Sequence, residues 1–178
     1  MKRLKKEDKE ILMKSGSNEY ETSFDEVSGF HKLKKKSNVK KGRISRAAGS
    51  RFELKVRADL ESMGRIVDKW TNNFDLEEKK VVAAKRKYNP FKKVLVIGTG
   101  FPDFISIKQI DNGAHSIIGV EVKMNGTLSK IEKEKCAGYL KKGIFSNIWI
   151  AKKGEKRGAI DYIDFKEQYG KKFSQFFD

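Results

Sequence analysis

A single cysteine, Cys136, stands among 178 residues. It rules out an internal disulfide and fits a reducing compartment. Histidine is nearly absent: His31 and His115 lie far apart in the chain and, with one cysteine, make no zinc site. No apolar run approaches the ~20 residues that a membrane-spanning helix needs. The basic stretch "MKRLKKEDKEILMKSGS" has no signal-peptide apolar core, so a cytoplasmic location is expected. A basic amphipathic helix with a Trp-rich apolar face is also missing, which argues against a membrane partner. Acids are the minority charge. Forty Lys and Arg oppose 24 Asp and Glu, for a net charge of +16. Such a surplus points to a polyanion, because phosphate binding draws its affinity from counterion release by cationic side chains.

What is present divides at about residue 48. The first 48 residues are rich in Lys, Ser and Glu and show no sustained apolar period. "HKLKKKSNVKKGRISRAA", residues 31–48, carries eight Lys or Arg and no acid. Such a block is expected to be a solvated, flexible arm that lies along a phosphate backbone. Lys34, Lys35, Lys36, Lys40, Lys41, Arg43 and Arg46 are its candidate contacts, with Arg51 just beyond. Residues 49–178 then read as one domain. Ser50 is the expected N-cap of a helix whose stripe is Phe52, Leu54, Val56, Leu60 and Met63. "RIVDKW" reads as a short strand. The stretch from Thr71 to Lys93 has no clean period and contains the turn signal Asn89-Pro90, so an irregular basic excursion with a helical piece around residues 76–85 is expected.

The remainder alternates more clearly. "VLVIGTG" and "PDFISIKQI" read as strands, and Asn112-Gly113 marks a hairpin turn into the strand "SIIGVEVKM". Ser129 caps a helix that ends before Gly143; "SNIWIAKK" and "GAIDYIDF" follow as strands, and a Phe-rich turn or helix closes the chain. Hairpins combined with one strand–helix–strand unit predict an α/β domain with a mixed central sheet flanked by helices.

Two of these strands carry charge where charge is expensive. Along "SIIGVEVKM" the period of two puts Glu121 and Lys123 on one face with Ile117 and Gly119. The hairpin brings Asp103, at the start of the paired strand, beside Glu121. Two carboxylates so placed repel unless a cation sits between them, and hard oxygen donors select Mg²⁺ or Mn²⁺. The plainer reading is surface charge on the solvent face of a sheet. The joint pattern weighs against it: Pro-Asp, then Glu-x-Lys eighteen positions on, within apolar strands of a strongly basic chain.

"PDF" at 102–104 with "EVK" at 121–123 resembles the PD-(D/E)xK nucleases of restriction-endonuclease-like fold. In order of parts it is similar to archaeal Holliday-junction resolvases and VRR-type nuclease domains. The resemblance runs from about Gly49 to Ala151. It implies a Mg²⁺-dependent DNA endonuclease in which Asp103 and Glu121, together with Val122 and Glu53, form the metal site and Lys123 acts in catalysis. Glu53 matches the family's helical acid, although Ser50 and Glu53 also have the spacing of a capping box. Where VRR-type domains place a Gln after the motif, this chain has Glu132. On that same helix Lys130, Lys133 and Lys135 are candidate phosphate contacts. Trp70, Tyr88 and Phe91 read as core or rim residues, with stacking on unpaired bases as the alternative.

Beside a third reading, a basic RNA- or ribosome-associated protein in which Asp103 and Glu121 would not be neighbours, two activities stay open. One is cleavage of duplex or branched DNA, including four-way junctions, by a two-fold dimer that matches a symmetric substrate. The other is nucleic-acid binding without cleavage on the same fold. In both, the arm lies on the phosphate backbone. Removing residues 1–48 is expected to weaken DNA binding and to flatten the slope of log affinity against log salt by several units, at ~0.9 per lost phosphate contact. An unchanged slope would show that the arm never touches DNA.

Overall fold

Residues 36–62 form one uninterrupted helix, α1 (Lys36–Ser62), where the sequence pattern predicts a flexible arm and a helix starting at Ser50. Ser50 is therefore mid-helix and caps nothing, and the capping box with Glu53 is not formed. Lys, Arg and Ala are good helix formers, and an exposed helix needs no apolar period. The computed structural model describes residues 13–15, 17–25, 30–89, 94–97 and 100–173. The chain divides into two compact units, Met1–Arg51 and Phe52–Asp178.

In the first unit β1 (Tyr20–Asp25) pairs antiparallel with β2 (Phe30–Lys35), with Tyr20 opposite Lys35. β2 runs straight into α1, and the Lys36 amide donates to the Glu19 carbonyl at 2.9 Å. The basic segment thus carries regular structure. A cut at residue 48 would also open α1, so neutralising the same cations by Gln is the cleaner form of the salt test.

The second unit is built on a five-stranded sheet. Its strands are β3 (Ile66–Lys69), β8 (Phe104–Asp111), β9 (Ala114–Val122), β10 (Asn147–Lys153) and β11 (Ile160–Asp164), in the spatial order β11-β10-β9-β8-β3. β9 and β10 are parallel and joined by α2 (Lys130–Lys141); every other pairing is antiparallel. The sheet is mixed and the unit is α/β, as expected. Asn112 and Gly113, at φ 25° and 87°, make the tight β8–β9 turn. β10 shows how the sheet is filled: Ile148 and Ile150 face a core of Phe145, Tyr139, Cys136 and Leu140 from α2 and its following loop, whereas Ala151 faces Phe52, Val56 and Leu60 of α1. Those three α1 residues recur every fourth position and are buried, but Leu54 is exposed, because two steps along a helix turn it away from the stripe.

Between β3 and β8 the chain is more regular than the sequence suggests. β4 (Asn72–Asp75) and β5 (Lys80–Ala83) form a hairpin, as do β6 (Arg86–Asn89) and β7 (Val94–Ile97). The helical piece expected near residues 76–85 is a turn plus a strand, since Asp75 ties its carboxylate to the Glu77 and Glu78 amides. "VLVI" pairs with β6 and stays out of the five-stranded sheet. Past β11, α3 (Phe165–Tyr169) and a short 3₁₀ turn pack Phe165 against Tyr169 and Phe173. The last five residues, and Phe91, lie outside the described ones.

Gly119 lies at a close approach within β9. A Cβ there would meet Pro102 Cγ at 2.8 Å and the Phe145 ring at 3.1 Å. Gly119→Ala is expected to lower stability by ~1–3 kcal/mol through overpacking, read as a shift of the urea midpoint. An unchanged midpoint would show that Pro102 yields freely.

Candidate functional site

The β8–β9 register places Phe104 opposite Val120, which brings Asp103 level with Glu121. Asp103 is pinned from two directions. Its carbonyl accepts from the Trp70 amide at 3.1 Å, and its Oδ2 accepts from the Val122 amide at 2.9 Å. The preceding Phe101–Pro102 peptide is cis. Burial raises the Asp103 carboxyl above its ordinary range, opposed by the Val122 amide and reinforced by the charge of Glu53.

Glu121 is 4% exposed in the middle of this arrangement. Burial first, and then the nearby Asp103 charge, push its carboxyl up to about 8. Its Oε1 contacts Lys123 Nζ at 3.0 Å, whereas its Oε2 is buried with no hydrogen-bond partner. An orphaned buried carboxylate oxygen is costly, so the pocket is built to accept another donor or an ion.

Lys123 is held from both sides, because Glu132 Oε1 lies 2.7 Å from its Nζ. Burial lowers the Lys123 ammonium, but the bond to Glu132 and the charge of Glu121 outweigh it and hold the group above its usual range. Glu132 divides its two oxygens: Oε1 accepts from Lys123, and Oε2 accepts from the Ser129 amide at 2.7 Å, while the Glu132 amide donates to Ser129 Oγ. This capping box was legible in the sequence; the grip on Lys123 was not. Cys136, one turn further along α2, is fully buried, and its thiol is raised by burial and the nearby glutamates.

The other sequence-predicted residues divide between the two units. Glu53 comes from α1, on the opposite face of the sheet, with Lys69 Nζ 3.7 Å from its Oε2; Lys69 was not singled out, although it closes the strand "RIVDK". Val122 contributes its amide to Asp103 and packs its side chain toward Phe104 and Val120. On α2, Lys133 lies over the Tyr169 ring at 4.6 Å and Lys135 bonds Asn73 Oδ1 at 2.8 Å, so both are engaged within the unit. Lys130 is exposed, 4.0 Å from Glu134. Lys34, Lys35, Lys36, Lys40, Lys41, Arg43, Arg46 and Arg51 are all exposed in the first unit. Trp70 bonds the Tyr139 hydroxyl and packs edge-on to Phe145, which makes it a core residue.

A divalent ion fits the donors at the centre in part. Two buried carboxylates with raised pKa and one orphan oxygen are hard donors lacking positive charge. Among the described residues, however, no group of three or more Asp, Glu, His or Cys side chains is placed to hold an ion. Two carboxylates agree with Mg²⁺, which keeps several waters and takes its remaining ligands from substrate phosphates.

The raised Glu121 pKa has a measurable consequence in metal-free buffer. The folded state binds the proton more tightly than the unfolded chain, so this contribution to stability is complete below about 4.5 and is lost as pH rises through about 8. At ~1.4 kcal/mol per unit, the loss is on the order of several kcal/mol. Glu121→Gln is expected to flatten the decline of stability across that window in urea titrations with EDTA; a parallel decline in wild type and variant would place the proton elsewhere. Among known proteins, no family model, no curated protein and no solved structure matches this chain.

Proposed function

We propose that the protein is a divalent-metal-dependent DNA endonuclease of the PD-(D/E)xK, restriction-endonuclease-like kind. The observation that carries this reading is the buried Glu121, with its partnerless Oε2, set between the pinned Asp103 and the clamped Lys123. A surface charge cluster would leave those oxygens to water, and a purely structural ion pair would satisfy both.

Asp103 and Glu121 would hold the ion, Mg²⁺ or Mn²⁺, with Val122 and Glu53 as the neighbours that the resemblance adds. A bound ion supplies Lewis acidity toward a phosphodiester oxygen and lowers the pKa of water. The side chains do the rest. The Val122 amide keeps the Asp103 carboxylate aimed, and burial makes Glu121 hold its proton until positive charge arrives to replace it. Lys123 presents an ammonium group to the attacking water or to the charge that develops on the phosphate. Glu132 holds that ammonium in place when Glu121 turns to another cation. The net charge of +16 draws DNA to the surface, and a two-fold dimer in the cytoplasm is the setting that matches a symmetric or branched substrate. No helix among the described residues is long and apolar enough to cross a membrane.

Asp103→Ala and Glu121→Ala are each expected to abolish Mg²⁺-dependent cleavage across a panel of duplex, nicked, flap and four-way-junction DNAs, with DNA binding retained or strengthened. Lys123→Ala is expected to keep Mn²⁺ binding by calorimetry while turnover falls by ~100-fold or more. Wild-type turnover in either carboxylate variant would move the site elsewhere.

A further inference from the structure

The first unit holds a recess of about 540 Å³ between its hairpin and α1. Its lining combines Tyr20 of β1, Leu33 and Lys35 of β2, and Val39, Gly42 and Arg46 of α1. The volume falls in the range of small-ligand sites, ~300–1,000 Å³. A Cβ placed on Gly42 meets nothing within 4 Å, so the wall there is open.

A duplex backbone is convex, and its phosphates are met by outward cations such as Lys40, Lys41 and Arg43 on α1. It has no use for an apolar lining of Leu33 and Val39 beside an aromatic ring. A flat base does, because each base has a π face and stacks on tyrosine whatever its identity. No acid stands among the lining residues, and the remaining two, Lys34 and Asn38, add a cation and an amide able to bond a base edge. Two ammonium groups lie over the Tyr20 ring, Lys14 at 5.7 Å and Lys35 at 5.9 Å from its centroid. At a partly exposed site each such contact is weaker than stacking of a base on the same ring. An arriving base would displace the ammonium on the face it takes and leave that lysine to its phosphate.

We propose that this recess binds an unpaired nucleotide of single-stranded DNA, with the base on Tyr20 and the flanking phosphates on Lys34, Lys35 and Arg46. The inference deepens the nuclease reading, on which its choice of DNA rests, by directing the protein to substrates with unpaired nucleotides. Its test reads binding alone in EDTA, so either can fail without the other.

The experiment is fluorescence anisotropy of the full chain with a labelled oligothymidylate of roughly 15 nucleotides and a duplex of the same length. Tyr20→Phe keeps the ring and is expected to bind both probes like wild type. Tyr20→Leu is expected to bind oligothymidylate roughly tenfold more weakly with duplex binding unchanged. Gly42→Met, which fills the recess from an open helix position, should reproduce that selective loss even if the hairpin does not tolerate leucine. Arg46→Gln should lower the single-strand salt slope by ~0.7. Equal losses on the two probes, no loss in Gly42→Met, or a loss in Tyr20→Phe as large as in Tyr20→Leu would each overturn the assignment.

Discussion

Everything around the site answers to one buried carboxylate. Glu121 sits in the wall of the second unit's core with only one of its oxygens partnered, and its neighbours are arranged around that unpaid charge. Lys123 supplies a cation from the same strand face, and Glu132 prevents that cation from being consumed by Glu121 alone. Asp103, fixed by the Val122 amide, sets a second negative charge close enough to help push the Glu121 proton affinity upward. Removing any of these groups changes the electrostatics of the other three, so they act as a unit.

The sheet makes this possible by separating its two faces. On the α1 side, Phe104, Ile118, Val120 and Ala151 close with Phe52, Val56 and Leu60 into a layer that is apolar apart from the buried Ser106. The α2 side carries the aromatic cluster of Trp70, Phe74, Tyr139 and Phe145. Gly119 lets Pro102 approach the sheet, and Asp103 follows directly behind it. A charge cluster at the end of β9 thus rests on aromatic packing further along the same face.

The first unit has a different physical character. The cations of α1 before Phe52 are exposed and that stretch of the helix has no buried face, so its chemistry lies at the surface. The recess between its hairpin and α1 combines an aromatic ring with cations, the composition suited to a ligand that is flat and apolar at one end and anionic at the other.

Much of the second unit was legible from local rules. The period of two in "SIIGVEVKM" put Glu121 and Lys123 on one face, Asn112-Gly113 announced the hairpin, and Ser129 with Glu132 announced the start of α2; each is a signal contained within a few residues. The N-terminal half of α1 was missed because its helical propensity comes from Lys, Arg and Ala without an apolar period, and β4, β5 and β6 because such short strands carry no clear alternation; the strand "VLVI" was read, but not its pairing with β6. The amino-acid sequence alone therefore determined which residues bear charge, which strand face they share and where the turns fall. Only the tertiary structure decided that Glu132 grips Lys123, that Lys69 pairs with Glu53, and that Glu121 retains an oxygen without a partner. Those three facts join residues on different elements, and burial, which sets the strength of every charge in the site, is a property of the packed chain.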